Sequence, residues 1–359
     1  MTNERSCLSG LTPAEIEGQF TPLGLPRFRA RQVAEWLYKK RITDFSEMTN
    51  LPALLRAQLQ EQFTLCRCNP NETHSSKDGT EKYLFALRDG ATVETVYIPS
   101  RDGRATLCVS SQVGCKMACR FCVTGSEGFG RSLTAAEILL QIYGCPHWEG
   151  LTNIVFMGQG EPLDNIDEVL RVVHLVCADY GMAWSPKRIT LSTIGRTDTL
   201  RQFLDQTKCQ LAISLHFADP QKRMEYMPAE RRWPIKDTLR LLRHYDFCTS
   251  PSDGLRDQGS RQRRLSFEYI LFEGINDGEK DAFALADLLR GFDCRVNLIN
   301  LHPSPRTERL GLHRASDAQA QWFCQKLGSL GLHATIRVSR GQDIEAACGL
   351  LKARGINRH

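Results

Sequence analysis

RATLCVSSQVGCKMACRFC, residues 104–122, joins an apolar, β-branched run to a loop with Cys115, Cys119 and Cys122 packed into eight residues. The first half reads as a buried strand, and the second half as something more than a turn. Six further runs of the first kind follow: TNIVFMG, KRITLST, CQLAISLH, LSFEYILF, CRVNLINL and HATIRVS. Segments of helical periodicity separate most of them, among them LTAAEILLQIYG, IDEVLRVVHLVCADYG, IKDTLRLLRHY, EKDAFALADLLRG and DAQAQWFCQKLGSLG. Thr134 and Glu137 form a capping box at the start of the first of these. Strand and helix in alternation predict parallel βαβ units, hence an α/β fold. Six or seven units suit a full or partial (βα) barrel, with a doubly wound sheet as the alternative.

The polar residues fall where a barrel would use them. GQGEP follows the second strand, STIG the third, SLH the fourth, LHPSP the sixth and SRG the last. Barrel active sites lie at the carboxyl ends of the strands. The cysteine loop follows the first strand, so it opens into the same mouth.

Upstream the chain changes character. FRARQVAEWLYKK places Ala30, Val33, Trp36 and Leu37 on one helical stripe beside basic positions, and LPALLRAQLQEQF is a second helix with Pro52 near its first turn. NPNETHSSKDGT is polar, and EKYLFAL, RDG and TVETVYI read as a β-hairpin. The expected organisation is a helical, basic N-terminal domain over residues 1–70 and a β-hairpin linker over 71–100. A barrel core with a C-terminal Cys348 loop then runs over 101–351, and a short basic tail over 352–359.

Of the 359 residues, 42% are hydrophobic and 24% charged, a balance that supports a substantial core. No run approaches the ~20 apolar residues of a membrane span, and MTNERSCLSGLTPAEIE lacks the apolar centre of a secretory signal. The expected location is cytoplasmic. The net charge of +5 says less than its distribution. Arg27, Arg29, Arg31, Lys39, Lys40 and Arg41 stand against Glu35 alone, and Arg256, Arg261, Arg263 and Arg264 form a second group. Such patches suit a phosphate backbone, or form a solvated face.

Fourteen cysteines in a chain of this length point to metal or catalysis where they cluster, and to small inert side chains elsewhere. A structural zinc takes four ligands, commonly as two CxxC pairs; only Cys119 and Cys122 form such a pair. A full iron–sulfur cube takes four thiolates. Three thiolates leave one iron open, which has a purpose only if another ligand binds there. A zinc completed by a distant residue is the competing reading.

CxxxCxxC after the first barrel strand resembles the radical S-adenosylmethionine (SAM) superfamily, and FMGQGEP resembles its glycine-rich second strand end. That resemblance implies a partial (βα)6 TIM-type barrel and one [4Fe-4S] cluster on Cys115, Cys119 and Cys122. SAM would chelate the open iron and yield a 5′-deoxyadenosyl radical. Gln159 departs from the usual GMGEP and is expected to be tolerated, because neighbours on a strand end point to opposite sides. RATLCVSSQVGCKMACRFC, GEPLDN, KRITLSTIG, AISLH, FEYILFEGIND, RVNLI and SRGQDIEAACGLL resemble more closely still, and in order, the RlmN/Cfr family of radical SAM RNA methyltransferases.

The family's chemistry solves a physical problem. Carbons 2 and 8 of adenine are poor nucleophiles, so direct transfer of a SAM methyl should fail. By resemblance, one SAM methylates Cys348 and a second supplies the radical that activates that methyl, so two SAM are used per turnover. The resulting carbon attacks adenine, Glu94 in VETVYIP accepts the proton, and Cys108 in TLCVSS resolves the protein–RNA link, leaving a Cys108–Cys348 disulfide to be reduced. SAM contacts are implied for Gly160, Glu161, Ser192, Ser214, Leu215 and His216, and for His302 where better-known members carry asparagine. SQVGC matches RlmN-type chains, which methylate carbon 2 of an adenosine in 23S rRNA and in many cases the adenosine 3′ of the tRNA anticodon. Cfr-type chains, which act on carbon 8, tend to SQCGC. Expected partners are therefore 23S rRNA, tRNA and a low-potential electron donor of flavodoxin or ferredoxin type, acting on a monomer with no membrane association. A radical SAM enzyme for a small molecule, and a zinc-bearing RNA-binding protein, are the rival classes.

Overall fold

The apolar runs assemble into one ten-stranded sheet in this computed structural model, which describes residues 5–245, 247, 263–347 and 349–352. In chain order the strands are β1 (Glu72–Ser75), β2 (Glu81–Ala86), β3 (Thr92–Pro99), β4 (Ala105–Cys108), β5 (Asn153–Phe156), β6 (Ile189–Thr193), β7 (Gln210–Ser214), β8 (Leu265–Leu271), β9 (Cys294–Asn300) and β10 (His333–Ile336). Every strand lies beside its sequence neighbours. A doubly wound sheet reverses its strand order at a switch point, so this monotonic order excludes it.

Strands β4 to β10 pair in parallel. Helices cross between them at Ala135–Tyr143, Ile166–Cys177, Thr197–Gln206, Ile235–Leu242, Glu279–Leu288 and Asp317–Ser329. These make six βα units and a closing strand. The sheet runs from β10 at one end to β1 at the other without closing on itself, so the barrel is partial. The Thr134–Glu137 capping box is present, and its helix buries Ala135, Ile138, Leu139, Leu140 and Ile142. Apolar side chains recurring at three and four residues force that packing.

The hairpin anticipated as a linker is part of the sheet. Strands β1 to β4 pair antiparallel, with Val96 opposite Cys108 and Pro99 opposite Ala105. Tyr83, Leu84, Phe85, Val93, Thr95 and Val96 are all buried. Thr95 donates to Gln141 Oε1 at 2.7 Å, pinning the hairpin to the first crossover helix. This extension covers what would be the open edge of β4.

The N-terminal segment is helical at Pro13–Phe20, Phe28–Glu35 and Ala53–Gln62, with a π turn at Trp36–Lys40. Thr12 and Glu15 cap the first helix reciprocally. Ala30, Val33 and Leu37 are buried, as the stripe predicts, while Trp36 is half-buried and donates its Nε1 to Asn50 Oδ1 at 2.5 Å. Tyr38 is buried, donating its hydroxyl to the Leu11 carbonyl at 2.6 Å, and so is no stacking platform for a base. Phe28 stays 57% exposed. Leu8, Ile16 and Leu37 share one apolar core with Leu107 and Leu140 of the barrel. Arg31 pairs with Asp179 at 2.6 Å and Glu15 with Arg171, tying the helices to the crossover after β5. No helix among the described residues is long and apolar enough to cross a membrane.

Candidate active site

The loop after β4 opens with a short antiparallel ribbon, Gln112–Gly114 against Phe129–Ser132. It turns back on hydrogen bonds from Cys115 N to Gly128 O and from Cys122 N to Cys119 O, with Ala118 in the left-handed region at φ 53°. Cys115, Cys119 and Cys122 thereby line one cavity of about 160 Å³ at the carboxyl ends of the strands. Gly158, Gly160, Glu161, Ser192, Ser214 and His216 line the same cavity.

Burial pushes all three thiols upward, Cys119 to about 12 and Cys115 well above the usual thiol range. Buried thiolates need cations, and iron supplies them by displacing the protons. Among the described residues no three His, Cys, Asp or Glu side chains gather closely enough to ligate one metal ion. A zinc ion needs its ligands to meet at one point, about 2.3 Å from each sulfur, whereas a cube offers separate irons to separate thiolates. Three thiols lining one cavity are a donor set that suits an iron–sulfur cluster.

Glu161 lines the same cavity and is buried. Its Oε1 accepts from Leu163 N at 3.1 Å and its Oε2 from Ile194 N at 3.0 Å. Burial nonetheless pushes the carboxyl up to about 7. A carboxylate in that state gains from an incoming cation such as an ammonium. Gly160 is required by more than the cavity. Its φ is +100°, and a Cβ there would lie 2.6 Å from Gln112 Cβ. The loop thus packs on the segment leading to the cysteines, and Glu161 N donates to Gln112 Oε1 at 3.0 Å. Gln159 points away from the cavity: its Oε1 accepts from Glu94 N at 3.3 Å.

His216 adopts φ 55° at the end of β7. Its Nδ1 accepts from Ile270 N at 3.2 Å, so the ring proton resides on Nε2. Burial and the nearby Arg223 push the imidazole down to about 3, leaving a neutral donor near the cysteine loop; its ring lies edge-on to Phe121 at 5.1 Å. The Ser192 and Ser214 hydroxyls are 3.4 Å apart. Leu215 is fully buried and lies outside the cavity lining; its carbonyl accepts from Arg223 Nε at 3.1 Å. His302, which the family resemblance groups with the SAM contacts, lines an adjoining cavity of about 110 Å³ with Ser339, Arg340 and Ala347, and Ile299 and Arg337 line both cavities. The strand-end pattern identifies the mouth but not the side of it.

Two residues of the cavity are not evident from the sequence pattern. Glu268 on β8 is buried, accepts from Asn297 Nδ2 at 2.8 Å, and faces Arg337 at 3.3 Å. A signal for it exists, since a lone carboxylate inside LSFEYILF must have a partner. Arg337 lies beyond β10 and carries no such signal.

The C-terminal segment closes the site. Val123 N donates to Gly349 O at 2.8 Å and Thr124 Oγ1 to Leu351 O at 2.7 Å, so residues on the far side of Cys348 sit on the cysteine loop. Ala346 and Leu351 join Val96 and Cys108 in one buried apolar cluster. Cys348 itself lies outside the described residues, as do Arg256 and Arg261 of the second basic group. No disulfide joins any two of the described cysteines. Glu94 is buried at the same place: Lys82 Nζ stands 3.2 Å from its Oε1, and Lys352 N donates to its Oε2 at 2.8 Å.

Comparison with known proteins agrees with this arrangement. Residues 7–65 match the ribosomal RNA large subunit methyltransferase N-terminal domain, and residues 109–285 match the radical SAM superfamily. A probable dual-specificity RNA methyltransferase RlmN of Parabacteroides distasonis is 49% identical over 351 residues, covering 98% of this chain and 97% of its own. Its counterpart in Bacteroides fragilis is 51% identical over 344 residues, covering 96% and 95%. The crystal structure of a radical SAM methyltransferase from Sphaerobacter thermophilus is similar at a TM-score of 0.85 and 38% identity, over 96% of this chain and 99% of that one.

Proposed function

This chain belongs to the RlmN family of radical SAM RNA methyltransferases, and from that premise we propose that it methylates carbon 2 of an adenosine in 23S rRNA and of the adenosine 3′ of the anticodon in tRNA. The observation that carries this reading is the docking of the segments flanking Cys348 onto both Cys108 and the cysteine loop. A radical SAM enzyme acting on a small molecule has no need of a second thiol packed against its C-terminal segment.

Membership in the family implies SAM and an iron–sulfur cluster. We assign a [4Fe-4S] cluster to Cys115, Cys119 and Cys122; with SAM on its open iron it would supply the 5′-deoxyadenosyl radical. The buried Glu161 carboxyl suits the SAM ammonium, and the Ser192 and Ser214 hydroxyls with His216 Nε2–H suit its ribose and carboxylate. Glu94 accepts the proton of the substrate carbon. The Cys108 thiolate attacks the Cys348 sulfur; the disulfide forms as the sulfur–methylene bond breaks, the carbon leaves with the electron pair and is protonated to the methyl group, and a reductant reopens the disulfide. Anaerobic reaction with unmodified 23S rRNA fragments and tRNA, followed by nucleoside mass spectrometry, tests the whole reading. 2-Methyladenosine in both RNAs is expected. 8-Methyladenosine, or no methylated adenosine, overturns it.

The N-terminal helices suit the RNA backbone. Arg31 already faces Asp179, so Arg29, Lys39 and Lys40 carry most of the expectation, beside the exposed Phe28 ring. Replacing Arg29, Arg31, Lys39 and Lys40 together with alanine is expected to weaken RNA binding about tenfold or more. The salt slope should fall by about one for each phosphate that is no longer neutralised. SAM cleavage without RNA should persist. Unchanged RNA affinity at moderate salt refutes this grip.

A further inference from the structure

Lys82 is a buried lysine that forms an ion pair with Glu94. Leu84 stands opposite Glu94 and Lys82 opposite Val96 in the β2–β3 register, so the two side chains share one face on a cross-strand diagonal. The next strand sets Cys108 opposite Val96, extending that row to the resolving thiol. The Lys82 and Glu94 side chains are only 9% and 10% exposed. Lysine is seldom buried to that degree unless it is paired.

Stability does not explain such a pair. Removing two charges from water costs several kcal/mol per ion as an order of magnitude, and apolar residues of similar volume commonly pack as well. The neighbours here, Val96, Ala346 and Leu351, are apolar. The other charged groups beside the pair, Glu345 and the Lys352 ammonium, bond to each other at 2.5 Å. Lys82 therefore stands as the countercharge of Glu94. Gln159 grips the same strand through Glu94 N, and Ser110 Oγ donates to the Glu94 carbonyl at 2.6 Å, so the backbone that carries the carboxylate is held as well.

We propose that Lys82 is a positioning residue for the proton-removal step, holding the Glu94 carboxylate through their ion pair so that it is aimed at the substrate carbon beside Cys108. The inference rests on Glu94 being the proton acceptor. In that step the carbon 2–hydrogen bond of the RNA–protein adduct breaks, its electron pair returns to the purine ring, the proton passes to a Glu94 oxygen, and the one surplus electron left by radical addition would go to a one-electron acceptor, the oxidised iron–sulfur cluster. Lys82 Nζ and Lys352 N each engage one oxygen, and each oxygen retains a second lone pair for the proton.

The test compares Lys82→Met, Lys82→Arg and Glu94→Gln. In cofactor-free protein at neutral pH, infrared difference spectra should show a Glu94 carboxylate band, identified by its loss in Glu94→Gln. Lys82→Met should shift that band, because one carboxylate oxygen loses its ammonium partner, and Lys82→Arg should bring it back towards its original position. In the loaded enzyme, RNA deuterated at carbon 2 should accumulate as a covalent adduct that retains deuterium, on denaturing gels, with both Glu94→Gln and Lys82→Met. Turnover should fall about a hundredfold, as loss of a general base does, with KM for RNA unchanged. Lys82→Arg should recover most of the rate. If Glu94→Gln accumulates no adduct, the reading of Glu94 as proton acceptor fails. If Glu94→Gln accumulates it and Lys82→Met does not, the role of Lys82 alone fails. An unchanged carboxylate band in Lys82→Met also overturns it.

Discussion

Cys108→Ala is expected to abolish turnover while leaving each protein molecule covalently joined to one RNA. The expectation follows from the order of events. On the proposed mechanism the RNA link forms through Cys348, and an attack on the Cys348 sulfur releases it. Cys108 is the buried thiol that the fold packs against the segment on either side of that residue, through Ala346 and Leu351. No other described cysteine belongs to that cluster. Alanine removes a sulfur and leaves β4 paired with β3 and β5, so folding and SAM cleavage should persist. Denaturing gels with labelled RNA should show a stable adduct of about one RNA per protein, absent from wild type after reduction. Continued turnover, or a variant that neither turns over nor links to RNA, would rule out Cys108 as the resolving residue.

Glu230→Gln is expected to destabilise the protein by about 3–5 kcal/mol, the usual consequence of leaving one member of a buried ion pair uncompensated. Arg223 is fully buried and pairs with Glu230. Its Nη2 donates to Ile194 O at 2.7 Å and to Ser214 O at 3.2 Å, and its Nε to Leu215 O. One guanidinium thus fastens the carboxyl ends of β6 and β7, the two strand ends that present Ser192, Ser214 and His216. Glutamine preserves shape and an acceptor for Ile235 N but removes the countercharge. Denaturant unfolding of the metal-free protein should show the loss directly. A double variant, Arg223→Met with Glu230→Leu, should recover much of it, because both charges then leave together. A loss under about 1 kcal/mol for Glu230→Gln would mean that Arg223 is satisfied by carbonyls alone.

The barrel and its mouth were legible because each rests on a local pattern. Apolar alternation marks strands such as KRITLST, helical spacing marks IDEVLRVVHLVC, and the cysteine spacing marks the loop after β4. Three features were not legible. The segment over 71–100 looked like a linker, because a hairpin's pattern is the same whether it stands free or continues a larger sheet. Arg337 gives no sign in HATIRVS of lining the cavity, because its place after β10 names the mouth and not the side. Lys82 looked like any lysine in a hairpin, because its burial depends on what packs above it.

What the amino-acid sequence determined by itself is the strand–helix alternation, the cysteine triad and the order in which the polar strand ends occur. These are properties of short segments, set by side-chain periodicity and backbone preference. What only the tertiary structure decided is the meeting of distant segments. Lys352 reaches Glu94 across 258 residues of chain, and Thr124 reaches Leu351 across 227. Periodicity states which face a residue presents, but not which remote segment will cover that face. That choice belongs to the packing of the whole core, and it brings the C-terminal segment over Cys108, Glu94 and Lys82 at once.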